Sequence, residues 1–236
     1  MEKIESAEVD LSPIEDAAKG AAAYTPSALA LYDLFVLGFS NSLVWRCPTR
    51  VLLNFYNQHI SVRHLDIGVG TGYFLDRCRF PTAAGATKQM TTPSITLFDL
   101  NPNCLTRTAR RIRRYAPSCH IGNVLQPIDI GLGSFDSIAL NYVFHCVPGN
   151  LESKSIVFEN VKPLLNRGGV VFGSTILGQD GTHNFMAKKL MKLYNAKGIF
   201  NNLSDRLRDL EAGLDAHFGE YTIRIEGSVA LFSARI

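Results

Sequence analysis

The stretch from residue 65 to residue 75 constrains the fold of this chain more than any other. It reads Leu65-Asp66-Ile67-Gly68-Val69-Gly70-Thr71-Gly72-Tyr73-Phe74-Leu75. A strand-like segment, residues 62–67, leads into three glycines at alternate positions, and a helix-like pattern follows. Glycine adopts positive φ without steric cost and lets a ligand approach the main chain closely. The stretch therefore predicts a strand, a tight ligand-holding turn and the start of a helix.

From residue 62 onward, strand-like and helix-like segments alternate, which is typical of an α/β protein with helices on both faces of a mostly parallel sheet. Two later strand-like segments are separated by only Glu226-Gly227-Ser228, so they are predicted to form an antiparallel pair at the C-terminal end. The predicted strands are residues 62–67, 94–98, 119–121, 135–140, 169–176, 221–225 and 229–234. A helix is predicted over residues 151–165, between the fourth and fifth of these strands. Together they predict a Rossmann-like three-layer sandwich.

Composition narrows the function classes. The chain has 236 residues, 46% hydrophobic and 19% charged, which suits a globular protein with a substantial core. The net charge of +3 is too small to argue for a nucleic-acid partner. The five cysteines are odd in number and lack C-x-x-C spacing, so we expect reduced thiols in a cytoplasmic protein.

Three further features are not expected. No apolar run reaches the roughly 18–20 residues that a membrane-spanning helix needs. The acidic start of the sequence does not resemble a signal peptide. Asp129, Asp136 and Asp180 are scattered, so we predict no metal site.

The pattern D-x-G-x-G-T-G-x-x-L, residues 66–75, resembles the first motif of the class I S-adenosylmethionine-dependent methyltransferases. The order of elements over residues 60–236 is similar to the seven-stranded sheet of that family. The resemblance implies S-adenosyl-L-methionine as cofactor and methyl transfer as the activity. It also implies two regions, residues 1–60 (an acidic arm and a helical lid) and 61–236 (the cofactor-binding domain).

The resemblance also implies which residues bind the cofactor, because ligands of open α/β sheets bind at the carboxyl ends of the strands. Asp66 is expected to face the cofactor's amino group, and Asp99 both ribose hydroxyls. Asn123 and Val124 are expected to hold adenine, and Asn141 and Tyr142 to lie along the cofactor. The full set is Asp66, Gly68, Gly70, Gly72, Asp99, Leu100, Asn123, Val124, Asn141 and Tyr142.

Each of these assignments has a structural alternative. Asp66 can instead satisfy backbone N–H groups of the glycine loop. Asp99 can instead cap a helix predicted over residues 101–115, since aspartate is a preferred N-cap. Residues 122–124 can be an ordinary Gly-Asn turn.

The expected reaction is an in-line displacement at the methyl group, in which the enzyme mostly aligns the reactants and excludes water. If the acceptor must lose a proton, His145 and His183 are the candidate bases, because imidazole titrates near neutral pH. An aromatic-rich N-terminal segment suggests a small organic acceptor of the kind found in secondary metabolism. Tyr24, Tyr32 and Trp45 are the predicted substrate-binding residues.

Other interpretations remain open on the sequence alone. A methyltransferase-like protein can bind the cofactor without transferring methyl, as a cyclisation catalyst or a binding subunit. Arginines 107, 110, 111, 113 and 114 keep an RNA or protein methyltransferase open, although a solvated helix face explains them as well. An NAD(P)-dependent oxidoreductase is disfavoured by the G-x-G-x-G spacing. Monomer and homodimer are both compatible with the chain.

Overall fold

The computed structural model describes residues 33–81, 92–129, 131 and 134–236. The predictions for the acidic arm at residues 1–20, for Tyr24 and Tyr32, and for most of the loop at residues 81–93 lie outside these ranges. In the described part, the chain begins with a π-helix, Asp33–Val44.

The main chain then forms seven strands and seven α-helices within the described ranges. The strands are β1 (Arg63–Ile67), β2 (Ser94–Asp99), β3 (Ser118–Ile121), β4 (Phe135–Asn141), β5 (Leu165–Ile176), β6 (Glu220–Glu226) and β7 (Val229–Arg235). The helices are α1 (Thr49–His59), α2 (Tyr73–Arg77), α3 (Pro102–Arg111), α4 (Leu151–Lys154), α5 (Ile156–Val161), α6 (Phe185–Ala196) and α7 (Leu207–His217). Short 3₁₀ turns occupy Arg113–Tyr115, Phe144–Cys146 and Lys162–Leu164.

The strands form one sheet in the order β3-β2-β1-β4-β5-β7-β6. The first five are parallel neighbours, whereas β7 runs antiparallel to both β5 and β6. The predicted seven-stranded, mostly parallel sheet with a C-terminal antiparallel pair is therefore confirmed. The strand order reverses between β1 and β4, which is where open α/β sheets bind their ligands.

Alternate residues of the inner strands face two separate apolar layers. On β5, Val170 and Phe172 pack in one layer, while Val171 packs in the other. The first layer is covered by α1, α3 and α6, and the second by α5 and α7. The period-2 alternation of buried side chains is what makes the molecule a three-layer sandwich.

Some element boundaries differ from those predicted. The helix expected over residues 101–115 begins at Pro102, and the Asn101 side chain caps it by accepting the Asn103 N–H at 2.8 Å. The single helix expected over residues 151–165 is α4, α5 and a 3₁₀ turn that carries Pro163, which has no N–H to donate.

Two features are absent from the described residues. Across the described residues, no helix is both long and apolar enough to cross a bilayer. Within the same ranges, no three His, Cys, Asp or Glu side chains lie close enough together to hold a metal ion.

Candidate cofactor cleft

A cleft opens at the carboxyl ends of β1, β2 and β4. It holds about 850 Å³ of empty space, part of it open to solvent. We call it the main cleft. Its lining residues are Ile67, Gly68, Gly70, Phe98, Asp99, Leu100, Asn101, Cys104, Gly122, Asn123, Val124, Asn141, Tyr142, Val143, Cys146, Val147 and Pro148.

A smaller lobe of about 440 Å³ adjoins the main cleft and shares Gly68, Gly70, Asn141 and Tyr142 with it. Asp66 and Gly72 border this lobe. The cleft and its lobe thus bring together all ten residues expected to bind the cofactor. Several further residues, such as Phe98, Cys104 and Pro148, also line the cleft, although the sequence did not predict them as site residues. The Val-Pro pair directly after the β4 turn was a sequence signal that could have identified Pro148.

The three glycines of the turn all adopt positive φ, between 52° and 72°. A Cβ at Gly68 would lie 2.6 Å from Val143 Cγ2, and a Cβ at Gly72 would lie 2.8 Å from Thr108 Cγ2. A Cβ at Gly70 would meet no atom within 4 Å and would enter the cleft. Gly68 and Gly72 therefore permit close packing, whereas Gly70 keeps space open for a ligand.

Asp99 closes the cleft at the end of β2. Its carboxylate accepts the backbone N–H of Asn101 at 2.8 Å and those of Gly70 and Val69. Burial nevertheless raises the pKa of Asp99 to about 6, because desolvation outweighs these donors. Asp99 is not the N-cap of α3, since Asn101 fills that position. A ligand that donates hydrogen bonds would satisfy the remaining capacity of this carboxylate.

Two amide groups at the cleft have only half of their hydrogen-bonding capacity used. Asn123 Oδ1 accepts the Leu125 N–H at 3.0 Å, and Asn141 Oδ1 accepts the Ser174 hydroxyl at 3.1 Å. The Nδ2 atoms of both side chains are buried and have no partner in the described structure. Buried donors are normally paired. The cleft therefore fits a ligand that presents acceptors at these two points, as a nucleoside amino acid does.

Tyr142 connects the cleft to the N-terminal π-helix. Its φ of 58° is unusual for a bulky residue, and such strain is concentrated at functional sites. The Tyr142 hydroxyl donates to Asn41 Oδ1 at 3.1 Å, and Asn41 Nδ2 donates to Thr49 Oγ1 at 3.0 Å. A residue on the wall of the cleft is thus tied to the segment expected to cover it.

The structure does not support His145 as a general base. The side chain is buried, and its Nδ1 accepts the Ile176 N–H at 3.4 Å. Its ring packs against Phe200, with 4.5 Å between ring centroids. Burial, and secondarily the charge of Lys154, lowers the pKa of His145 to about 3. An imidazole with this proton affinity stays neutral and cannot take up a proton near neutral pH.

His183 and Trp45 also lie apart from the cleft. His183 borders a separate depression, and burial lowers the pKa of its ring. The other residues of this depression are Gly178, Gln179, Gly181, Thr182, Lys188 and Met191. Trp45 is buried, and its ring centroid lies 6.0 Å from that of Phe200. Neither residue lines the main cleft or its lobe.

Comparison with known proteins decides the family. A family model described as a methyltransferase domain matches residues 65–171. Demethylluteothin O-methyltransferase of Streptomyces thioluteus is 36% identical over 215 residues, which is 91% of this chain and 90% of that protein. The chain belongs to the class I S-adenosylmethionine-dependent methyltransferases. Methyltransferase aurB of Calcarisporium arbuscula is 38% identical over 216 residues, 89% of this methyltransferase and 94% of the relative.

Solved structures agree on the fold. A complex of DhpI with S-adenosylhomocysteine has a TM-score of 0.64 at 14% identity, covering 93% of this methyltransferase and 96% of that chain. The N-methyltransferase NodS of Bradyrhizobium japonicum WM9 with S-adenosylhomocysteine has a TM-score of 0.56 at 14% identity, covering 90% and 98%. The family, the fold, the enzyme class and S-adenosyl-L-methionine as cofactor are thus all as predicted.

Proposed function

We propose that this methyltransferase transfers a methyl group to a phenol or enol oxygen of a small secondary metabolite. Several relatives carry O-methyltransferase in their names. They include the physcion biosynthesis cluster O-methyltransferase of Aspergillus chevalieri, 36% identical over 226 residues, 95% of this chain and 96% of that protein. The observation that carries the choice of acceptor is the burial of His145, whose Nδ1 already accepts the Ile176 N–H, because an acceptor that ionises by itself needs no base.

The residues of the cleft suit the two ends of the cofactor. We assign the ribose hydroxyls to Asp99, which accepts hydrogen bonds at the end of β2. We assign the α-amino group to Asp66 and the adenine ring to Asn123 and Val124, at the turn after β3. The unpaired Nδ2 atoms of Asn123 and Asn141 support these positions, since both would gain acceptors.

The chemistry divides between the cofactor and the chain. The bound cofactor supplies a methyl group on a sulfonium centre, whose positive charge makes the sulfur a good leaving group. The residues of the chain hold the acceptor in line with the methyl group and exclude water, which is the main source of rate in such displacements. In the neutral ring of His145, Nδ1 accepts a hydrogen bond, so the proton lies on Nε2. His145 is thus a packing residue that can donate a hydrogen bond through Nε2 but does not take up a proton near neutral pH.

The basic helix α3 gives little support to an RNA acceptor. Arg111 Nε binds Asp76 Oδ2 at 3.2 Å, and Arg114 donates to Asp76 Oδ1 at 2.7 Å. Arg111 also lies 5.5 Å from the ring centre of Tyr73. These arginines attach α3 to α2, which is a structural use of their charge.

The test measures kcat/KM against pH for a series of substituted phenols of different acidity. We expect kcat/KM to rise with pH to a plateau, with a midpoint that follows the pKa of each phenol. His183→Gln should leave every midpoint in place. A midpoint that stays at one pH for all acceptors would show an enzyme base and contradict the proposal. Mass spectrometry and NMR of the product identify the methylated atom, and a carbon- or nitrogen-methylated product would equally contradict it.

A further inference from the structure

A chain of hydrogen bonds runs beneath the cleft and ends on Asp66. The Ser61 N–H donates to Ser137 Oγ at 2.8 Å, and Ser137 Oγ lies 2.8 Å from His64 Nδ1. His64 Nε2 lies 2.9 Å from the Tyr56 hydroxyl, which donates to Asp66 Oδ2 at 2.5 Å. The contacts join α1, β1 and β4. Among the residues named in the proposed function, only Asp66 takes part in them.

For a neutral imidazole, only one arrangement of hydrogens satisfies every contact. Ser137 accepts from Ser61 and donates its single hydrogen to His64 Nδ1, so Nε2 carries the ring proton and donates to Tyr56. The Tyr56 hydroxyl then donates to Asp66. With the proton on Nδ1 instead, the single hydrogen of Tyr56 would have to serve both His64 and Asp66. All hydrogen bonds therefore point in one direction, towards the carboxylate.

The side chains of this hydrogen-bond chain are buried and closely packed. His64 and Ser137 are fully buried, and Tyr56 is 1% exposed. The Tyr56 ring stacks on Phe74 at 5.6 Å and meets Phe172 edge-on at 5.2 Å between centroids. Burial and the nearby Asp66 carboxylate raise the pKa of Tyr56 well above its usual value, so its hydroxyl remains a donor. Donors held away from water make strong hydrogen bonds to a carboxylate.

Asp66 is held at one oxygen only. Oδ2 is occupied by Tyr56, whereas Oδ1 has no hydrogen-bond partner among the residues that the structure describes. Asp66 borders the lobe of the cleft next to the glycine turn. Because the bond to Oδ2 holds the whole carboxylate in place, Oδ1 is also fixed and is suited to a cationic group of a ligand.

We propose that Tyr56, His64 and Ser137 are positioning residues that fix the Asp66 carboxylate, so that its free oxygen receives the α-ammonium group of the cofactor. This inference rests on the proposed role of Asp66. Its specific consequence is selectivity: the chain of hydrogen bonds strengthens binding of the amino-acid half of the cofactor and leaves binding of the adenosine half unchanged.

The test compares two ligands by calorimetry. S-adenosylhomocysteine has the amino-acid group, and 5′-methylthioadenosine has the adenosine and the thioether without it. For Tyr56→Phe, we expect the Kd of S-adenosylhomocysteine to rise about tenfold while that of methylthioadenosine changes less than about twofold. Ser137→Ala, at the far end, should give the same selectivity with a smaller effect.

The matched control is Thr96→Val. Thr96 is another buried strand residue, and its hydroxyl lies 3.0 Å from Ser118 Oγ, so it takes no part in the hydrogen-bond chain that ends on Asp66. The control should leave the ratio of the two Kd values unchanged. Equal losses for both ligands in Tyr56→Phe, or the same selectivity in Thr96→Val, would reduce the hydrogen-bond chain to a merely structural role.

Asp66→Asn separates this inference from the proposed function. A selective loss of S-adenosylhomocysteine binding in Asp66→Asn but not in Tyr56→Phe would overturn only the positioning role. If Asp66→Asn binds both ligands as the unmodified enzyme does, the assignment of Asp66 to the ammonium group is itself wrong.

Discussion

At the residue scale, Asp99 combines burial with the task of accepting hydrogen bonds. Its pKa of about 6 in the folded protein lies above the ordinary 3.8. The folded enzyme therefore holds a proton between about pH 4 and pH 6 that the unfolded chain has lost. By linkage, the contribution of Asp99 to the free energy of unfolding is unfavourable above about pH 6 and improves as the pH falls through this window.

Cofactor binding should show the opposite trend, because ribose hydroxyls donate to an ionised carboxylate. We expect the Kd of S-adenosylhomocysteine to be about tenfold higher at pH 5 than at pH 7, as follows from a pKa near 6 when only the ionised form binds. Calorimetry at several pH values measures this change. Asp99→Asn should bind more weakly at pH 7 and lose the pH dependence, and an unchanged dependence in that variant would assign it to another group.

Residues at strand ends were predictable, whereas buried polar contacts were not. Asp66 and Asp99 lie near the carboxyl ends of strands that are recognisable in the chain, so their position at one edge of the sheet follows from the topology. The burial of His145 depends on Phe200, which is 55 positions away in the chain. Tyr56 lies on the buried face of α1. Its bond to Asp66 depends on how α1 packs against β1, which no local pattern specifies.

At the element scale, the glycines of the turn between β1 and α2 have two different roles: Gly68 and Gly72 permit close packing, and Gly70 leaves space for a ligand. Gly70→Ala places a methyl group in the open cleft, in a backbone conformation that costs about 1–2 kcal/mol for a residue with a side chain. We expect a modest fall in the melting temperature and at least a tenfold loss of S-adenosylhomocysteine affinity. Differential scanning calorimetry and titration measure the two effects separately.

Gly198→Ala is the matched control for this prediction. Gly198 also has positive φ, at 67°, and open space around its Cβ position, but it lies after α6 and away from the cleft. This variant should show a similar loss of stability with unchanged affinity. Equal affinities in the two variants would mean that the space at Gly70 is not used by the ligand.

Strands were predicted more accurately than helix ends. The inner strands β1, β2, β4, β5 and β7 are mostly buried segments, and an apolar run reports such burial directly. The helix expected over residues 151–165 divides at Ser155, and its last turn tightens at Pro163. The end of a helix depends on local capping and tertiary contacts, which the apolar period does not record.

At the scale of the whole molecule, a buried ion pair joins α4 to the segment between α6 and α7. Lys154 Nζ lies 2.8 Å from Asp205 Oδ2 and donates to the Asn201 carbonyl at 2.7 Å, and both charged side chains are fully buried. Asn201 in turn donates its N–H to the His145 carbonyl at 2.8 Å. The pair therefore stabilises the packing of α4 and of residues 201–205 next to His145, in the turn that follows β4.

Removing one member of this pair leaves a buried charge without a partner. We expect Lys154→Met to lower the free energy of unfolding by about 3–5 kcal/mol. Lys154→Met combined with Asp205→Leu should recover a large part of that loss, because neither charge is then buried alone. Urea unfolding of the single and double variants measures both values, and equal losses in the two would show that packing and not charge dominates.

The N-terminal π-helix is attached to several distant parts of the molecule. Asn184 Nδ2 donates to the Leu43 carbonyl at 2.9 Å, and the Ser228 N–H donates to the Trp45 carbonyl at 2.9 Å. Together with the bond from Tyr142 to Asn41, these contacts connect the π-helix and Trp45, which directly follows it, to the N-cap of α6, to the β6–β7 turn and to the cleft. The separation into a lid at residues 1–60 and a cofactor domain at 61–236 stays a prediction.

The position of β7 has a consequence for biosynthesis. This strand lies between β5 and β6, although it follows both in the chain. While the ribosome is still translating the residues before 229, the growing polypeptide exposes the edge of β5 with its hydrogen-bonding groups unpaired. Such an edge can pair with other strands, so the nascent enzyme is more exposed to misassembly until β7 leaves the exit tunnel.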